Sequence, residues 1–138
     1  MTDYQIRRAT SAEEILAASR LLDNPAKPEW AQRFLTEPAH HLLLAWIEDK
    51  AVGFISGVET THPDKGTEMF LYELGVDEEH RNRGIGRALV AELKRLAAER
   101  GCYGMWVLTD RDNSAALKTY RAAGADEESD HVMLTFNF

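Results

Sequence analysis

Apolar and polar positions divide the chain into segments of two different periods. Between Gly84 and Arg100 apolar residues recur every three or four positions, which predicts a long amphipathic helix that Gly101 would end. Other helices are predicted from Ser11 onward, at 28–37 and at 114–123. Short apolar or alternating runs predict strands at 4–9, 42–47, 51–58, 69–76, 103–108 and 132–138. Helices and strands follow one another without a repeat or linker, which predicts one α/β (α+β) domain over residues 1–138.

Length and composition restrict the classes of protein to which the chain can belong. At 138 residues it can bury a core without a metal or disulfide, and Cys102 is its one cysteine. The formal net charge of −7 argues against nucleic acid or an anionic membrane as partner and suits a cationic substrate. We find neither a long apolar run nor a secretory signal, so we expect a cytoplasmic protein. The histidine spacing does not indicate a metal site.

A basic, glycine-containing loop separates the 69–76 strand from the long helix. It reads Arg81-Asn82-Arg83-Gly84-Ile85-Gly86. Its glycines let a ligand approach the backbone, and the helix start beyond them offers unpaired N–H groups. Arg81, Arg83 and Arg87 oppose the helix dipole unless an anion lies there. The spacing matches neither a P-loop nor a dinucleotide fingerprint. It favours a pyrophosphate site over the alternative, an ordinary helix start with a basic lead-in.

This loop, after a strand that ends Leu74-Gly75-Val76, resembles the acyl-CoA signature of the GNAT superfamily, Arg-x-x-Gly-x-Gly. A second block resembles the family's later Asn…Ala…Leu-Tyr…Gly pattern and consists of Asn113, Ala116, Leu117, Tyr120 and Gly124. The order of elements resembles the family fold over nearly the whole chain. The resemblance implies an acetyl-CoA-dependent N-acetyltransferase. Its implied fold is a central mixed, mostly antiparallel sheet, splayed at the acyl-CoA site and flanked by about four helices.

The same resemblance implies which residues contact acetyl-CoA. The strand 74–76 would pair with the pantetheine arm, and the loop 81–86 would hold the pyrophosphate. Tyr120 would protonate the leaving thiolate, although a core aromatic is its structural alternative. The implied cofactor contacts are Leu74, Gly75, Val76, Arg81, Asn82, Arg83, Gly84, Ile85, Gly86, Arg87, Asn113, Ala116 and Tyr120.

Direct attack of an amine on a thioester needs a base, and two carboxylates are candidates. Glu73 lies within an otherwise apolar strand, where a carboxylate needs a partner or a function. Asp110 follows the 103–108 strand, and α/β folds place ligands at such strand ends. The structural alternatives are a solvent-facing Glu73 and a turn-forming or capping Asp110. A backbone N–H of the splayed strand, such as that of Val76, would polarise the carbonyl.

A closer resemblance is to the short aminoglycoside 3-N-acetyltransferases. It rests on Tyr72-Glu73-Leu74-Gly75-Val76, Glu79-His80-Arg81, Asp110, Tyr120, and Glu127-Glu128 with His131. In this chain Glu73 replaces an Asp and Gly86 a common Ala, while Arg111 adds a positive charge beside Asp110. The resemblance implies an acidic cleft for a polyamine. Its implied substrate contacts are Glu73, Asp110, Asp112, Glu127 and His131.

The acceptor and the oligomeric state stay open at this point. Superfamily motifs indicate the cofactor but not the acceptor, so a protein N-terminus, a lysine or a small metabolite amine is an alternative. A non-catalytic acyl-CoA-binding module is a further one. The aromatic residues Phe136 and Phe138 need cover, which predicts either a homodimer interface or a packed final strand.

Overall fold

A five-stranded sheet forms the centre of the computed structural model, which describes residues 3–138. In sheet order its strands are β1 (Gln5–Arg8), β2 (His40–Ile47), β3 (Lys50–His62), β4 (Gly66–Val76) and β5 (Met105–Val107). The helices are α1 (Ala12–Ala17), α2 (Pro28–Thr36), α3 (Ile85–Glu99) and α4 (Ser114–Ala122), with 3₁₀ turns at Ser19–Leu21 and Glu78–His80. Strands β1 to β4 pair antiparallel and β5 joins β4 in parallel. The predicted mixed, mostly antiparallel sheet with four helices is therefore confirmed.

The helices cover the two faces of this sheet unequally. On one face α3 inserts Leu89 and Leu93, both fully buried, against side chains of β2 to β5. On the other face α1 and α2 pack over β2 and β3, around Trp46 and Phe54. Among the described residues no helix combines the length and apolar character needed to cross a membrane.

A bulge in β4 changes which side chains face α3. Ser56 of β3 pairs with Glu73 while Gly57 pairs with Leu71, so Tyr72 has no partner in the register. Because side chains alternate along a strand, one extra residue exchanges the two faces beyond it. Leu71 before the bulge and Leu74 after it therefore contact the same α3-side core. Glu73 is consequently turned toward the face opposite α3.

The pairing between β4 and β5 is short. It runs only from Met69 with Met105 to Leu71 with Val107. Strand β4 continues to Val76, and its 72–76 stretch has no neighbour on the β5 side. The two strands separate there, so the backbone groups of this stretch that point away from β3 are left for a ligand, apart from the Val76 carbonyl, which accepts from Arg81.

A hydrogen-bonded group of three side chains fastens the far end of α3 to the sheet. His41 is fully buried, and its Nε2 lies 2.6 Å from Oε2 of Glu59. Arg100, at the C-terminal end of α3, donates from Nε to the same oxygen at 2.8 Å. Burial lowers the pKa of His41, so a neutral imidazole donates to the carboxylate at neutral pH. With this end held, the N-terminus of α3 is directed toward the end of β4.

The segment 132–138 differs from the prediction. It forms no strand, and Val132, Leu134 and Phe136 are each more than three-quarters exposed. The alternating pattern is that of a strand, but a strand needs a neighbour for its backbone groups, and no described strand pairs with it. Strand β5 is also shorter than predicted, three residues instead of six. The packed final strand was therefore a wrong prediction.

Two glycines beside the β4 terminus should respond oppositely to alanine. A Cβ on Gly75 would lie 2.5 Å from Cε1 of the buried Phe54, whereas one on Gly86 would meet Thr119 at 3.5 Å, an ordinary contact. We expect Gly75→Ala to lower the free energy of unfolding by about 1–3 kcal/mol through overpacking. Gly86→Ala, inside α3, should leave it unchanged or raise it by up to about 1 kcal/mol. Urea denaturation measures both, and equal losses would contradict this account of the packing.

Candidate active site

The loop between β4 and α3 leaves the start of α3 open. Asn82 and Gly84 both have positive φ, 62° and 82°, which turns the chain sharply before the helix. Gly84 is the N-cap, and no side chain of residues 3–138 accepts a hydrogen bond from the first turn. Within that range the N–H groups of the turn have no partner, and they lie at the positive end of the helix dipole.

Three arginines surround this helix start. Arg81 donates from Nε to the carbonyl oxygen of Val76 at 3.1 Å, which ties the loop to the end of β4. Arg83 and Arg87 are exposed, and neither forms an ion pair with a residue in the range 3–138. Like charges beside a positive helix end repel unless an anion binds between them. The predicted loop residues thus lie together around a helix start whose charges suit an anion.

Asp77 anchors the base of the loop. Its Oδ2 accepts from Nη2 of Arg20 at 2.8 Å and lies 3.6 Å from Nζ of Lys50. The Arg20 hydrogen bond is the main cause that lowers the pKa of Asp77, so this carboxylate stays ionised at neutral pH. Arg20 also donates to the carbonyl of Ala51, which joins the loop to β3 and to the 3₁₀ turn after α1.

Helix α4 packs beside the same helix start. The Thr119 methyl group approaches Gly86, and the following residue, Tyr120, is half-buried against the α3-side core. Burial raises the pKa of the Tyr120 hydroxyl, so it holds its proton at neutral pH. Asn113 is the N-cap of α4, because its Oδ1 accepts from the N–H of Ala116 at 3.1 Å. The helix-capping role that the sequence analysis offered for Asp110 is therefore performed by Asn113.

Glu73 meets a carboxylate that sequence reasoning missed. Burial raises the pKa of Glu73, and the neighbouring Asp23 raises it further by like charge and by hydrogen bonding to its protonated form. Asp23 lies in the connection before α2, in an open depression lined by residues that include Ser19, Asn24 and Pro25. In the sequence, Asp23 is marked only by the tripeptide Asp-Asn-Pro, which is typical of the end of a helix.

Three aromatic rings lie beyond Glu73 on the sheet face opposite α3. Phe70 stacks on Trp106 with ring centroids 4.3 Å apart and meets Tyr72 edge-on at 5.7 Å. Tyr72 is 62% exposed and Trp106 41%. We call Phe70, Tyr72 and Trp106 the aromatic platform. Exposed ring faces attract cations, so the platform and the two carboxylates together suit a positively charged ligand.

The other predicted substrate residues lie elsewhere, on exposed chain after β5 and α4. Asp110, Asp112, Glu127 and His131 are all exposed, and none has a hydrogen bond or ion pair with Glu73. Asp110 forms a turn through its carbonyl, which accepts from the N–H of Asn113. His131 contacts Ser129, with Nδ1 and Oγ 2.9 Å apart.

Arg111 does not present a free positive charge. Its guanidinium lies 3.2 Å from Oε2 of Glu128 and 3.0 Å from Oδ1 of Asp130. Arg121 shares Glu128, and the two arginines lower the pKa of Glu128 to about 2. The positive charge that Arg111 adds beside Asp110 is therefore compensated within the chain.

Comparison with known proteins identifies the family. Residues 9–125 match the sequence model of the Acetyltransferase (GNAT) family. The chain belongs to this family. GNAT enzymes use acetyl-CoA, whose pyrophosphate fits the uncapped N-terminus of α3 and the unpaired Arg83 and Arg87. The expectation that one domain covers all of 1–138 stays a prediction, since the match ends at residue 125.

Similar proteins differ in what their names say they acetylate. Over 86 residues the chain is 37% identical to a mycothiol acetyltransferase of Saccharopolyspora erythraea. The matched region makes up 62% of this chain but only 27% of that protein. The chain is 36% identical over 103 residues to the N-alpha-acetyltransferase RimI of Mycobacterium tuberculosis, 74% of this chain and 62% of the relative. The chain thus spans less than two thirds of either relative.

The fold is shared with solved acetyltransferase structures. An aminoglycoside acetyltransferase from an uncultured soil metagenomic sample, solved with trehalose, superposes with a TM-score of 0.85. The match covers 98% of this chain and 97% of that one at 23% identity. At this identity the likeness shows the GNAT fold, and the substrate has to be argued from the site itself.

Removing one unpaired arginine should weaken binding of coenzyme A. We expect Arg83→Gln to raise the Kd for coenzyme A about tenfold, because a hydrogen bond to a charged group contributes about 1.5 kcal/mol. Arg95→Gln is the matched control, since Arg95 lies on α3 but is paired with Glu92 and Glu99. Isothermal titration calorimetry measures both. A similar loss in both variants would show a general charge effect and contradict a local anion site.

Proposed function

We propose that this GNAT protein transfers the acetyl group of acetyl-CoA to a primary amine of a small polycation, an aminoglycoside acetylated at its 3-amine. The observation that carries the proposal is Glu73, which the β4 bulge turns away from α3 and toward Asp23 and the aromatic platform. A carboxylate with a raised pKa at this point can both attract a cation and accept its proton.

Glu73 is the base in this proposal. It accepts the proton that an ammonium group must lose before its nitrogen can attack. Glu73 is half-buried and burial raises its pKa, which suits this task, whereas Asp110 lies exposed after β5. Asp110 and Asp112 then act at longer range, as part of the negative field that draws a polycation to the site.

Three other parts of the chain complete the proposed chemistry. Acetyl-CoA, when bound, supplies the acetyl group as a thioester, with Arg81–Arg87 and the first turn of α3 holding its pyrophosphate. The unpaired N–H groups of β4 between Leu74 and Val76 are donors for an acyl oxygen at the strand separation. Tyr120 keeps a proton on its hydroxyl oxygen, available for a thiolate leaving group.

A polycationic acceptor is favoured by the charges of the surface around Glu73. Glu73, Asp23 and the aromatic platform provide two carboxylates and open ring faces within one surface, and the chain carries a formal net charge of −7. Because Glu128 and Asp130 compensate the charge of Arg111, this arginine does not repel a polycation. An antibiotic-modifying role in the cytoplasm is part of this proposal.

A peptide amine is the second candidate acceptor. It is favoured by the 36% identity to the N-alpha-acetyltransferase RimI, which exceeds the 23% identity to the aminoglycoside acetyltransferase structure. An α-amino group would use the same Glu73 and Tyr120, so the chemistry of the donor side would be unchanged.

A panel of amines separates these acceptors. Release of free thiol from acetyl-CoA is followed with gentamicin, kanamycin, spermidine, amino acids and short peptides. We expect turnover on gentamicin, with mass spectrometry and NMR placing the acetyl group on the 3-amine. Turnover on peptides alone would reject the aminoglycoside and retain the second candidate. Binding of coenzyme A without turnover on any amine would reject both.

The pH profile tests Glu73 as base. Glu73 can act as a base only in its ionised form, so kcat/KM should fall as the pH drops through the raised pKa of Glu73. Asp23→Asn removes one of the two causes of that rise, and the acidic limb should move to lower pH. Asp126→Asn, an exposed carboxylate with no described ion pair, should leave the limb in place. An unmoved limb in Asp23→Asn, with folding intact by circular dichroism, would exclude the Asp23–Glu73 coupling.

A further inference from the structure

Ser56 carries a hydroxyl group on the sheet face opposite α3. Its partner on β2 is Leu42, and Phe54 lies two residues before it on β3. The side chains of Leu42 and Phe54 both belong to the core under α1 and α2. Because residues two positions apart on a strand share a face, and directly opposed residues do as well, Ser56 faces the same side of the sheet as Glu73.

The hydroxyl of Ser56 is buried and has no partner among residues 3–138. Ser56 is 8% exposed, and its Oγ atom forms no hydrogen bond with any donor or acceptor in that range. Nearly all buried hydroxyl groups in proteins are hydrogen-bonded, since an unpaired one destabilises the fold. Ser56 therefore costs stability unless its hydroxyl is used in another state of the site.

Glu73 lies directly across the strand pair from Ser56. The two residues are register partners between β3 and β4, immediately beside the bulge at Tyr72. Directly opposed residues of an antiparallel pair have Cβ atoms about 4.5–5.5 Å apart, a distance over which a serine hydroxyl can reach a carboxylate. A rotation of the two side chains is therefore enough to join them, without a change in the backbone.

Asp23 is the charged group that faces Glu73 from outside the sheet. Burial raises the pKa of Glu73, and repulsion by Asp23 and hydrogen bonding with it raise that pKa further. Two other titratable side chains on this side of the sheet are engaged elsewhere, since Arg20 binds Asp77 and His40 of β2 packs against α2. An ionised Glu73 is repelled by an ionised Asp23, so the loss of the proton that joins them leaves Glu73 without a partner.

We propose that Ser56 is a positioning residue for the base: its hydroxyl donates to the Glu73 carboxylate when that group is ionised, whereas Asp23 binds the protonated form. This inference rests on the proposed function for the role of Glu73. The ionised carboxylate accepts the proton of the ammonium group, and the resulting carboxylic acid then donates that proton to Asp23 in a hydrogen bond. Glu73 thus has one position for each protonation state, and Ser56 holds it away from Asp23 while it is able to accept a proton.

NMR titration of the side-chain carboxyl carbon of Glu73, in the full chain without ligands, tests this contact; Glu73→Gln identifies the signal. Ser56→Ala removes the donor to the ionised form, so the pKa of Glu73 should rise by about one pH unit, the tenfold change expected of one hydrogen bond to a charged group. Thr60→Val is the matched control, because it removes a half-buried hydroxyl from the same face of β3, opposite the carboxylate of Glu68. An unchanged titration in Ser56→Ala, with native circular dichroism, would overturn the proposal, and so would an equal rise in both variants.

The pH profile of turnover tests the role of Ser56 in the reaction. The acidic limb of kcat/KM should move to higher pH in Ser56→Ala, opposite to the move expected of Asp23→Asn, and the double variant should lie between the two. A raised pKa of Glu73 with an unmoved limb in Ser56→Ala would overturn this role. Absence of turnover on every amine would instead reject the proposed function, while the titration of Glu73 would still decide whether Ser56 contacts it.

Discussion

Strand β4 is no longer paired with β5 after Leu71, and the arrangement of the whole site depends on that. A paired strand would have its backbone groups satisfied by β5, but from Tyr72 to Val76 they are open on one side. The bulge at Tyr72 acts at the same point, because it exchanges the two faces of β4. Leu74 and Val76 thereby stay in the core under α3 while Glu73 faces the opposite side. One irregular strand thus supplies the open backbone and the orientation of the proposed base.

Charges of opposite sign occupy the two sides of this strand end. One side has the uncapped start of α3 with Arg83 and Arg87, which have no ion-pair partner among the described residues, and this suits a pyrophosphate. The acceptor side has Glu73 with Asp23, which suits an ammonium group. Asp77, held by Arg20 and Lys50, fastens the loop between them to the sheet. In the proposed function, this separation of charge would let an acidic protein bind a strongly anionic donor beside a cationic acceptor.

Local signals in the sequence predicted the parts of this structure that depend on neighbouring residues. The period of α3, the glycine loop before it and the Ser11 cap, whose Oγ accepts from Glu14 N–H, all involve residues within a few positions of one another. The contact of Asp23 with Glu73 joins residues fifty positions apart, and stacking of Phe70 on Trp106 depends on which strands become neighbours. The bulge was not predicted because an apolar strand gives no alternation by which to detect one extra residue. The strand predicted at 132–138 failed for a related reason: its pattern is that of a strand, but a pattern does not specify the partner.

The central claim is that coenzyme A binds where β4 and β5 separate, with its pyrophosphate on the start of α3. Amide hydrogen exchange with and without coenzyme A tests it directly. The account predicts that binding slows exchange in two stretches at once, 72–76 on the open edge of β4 and 84–87 in the first turn of α3. Binding that leaves both stretches unprotected, or that protects another surface instead, would contradict it.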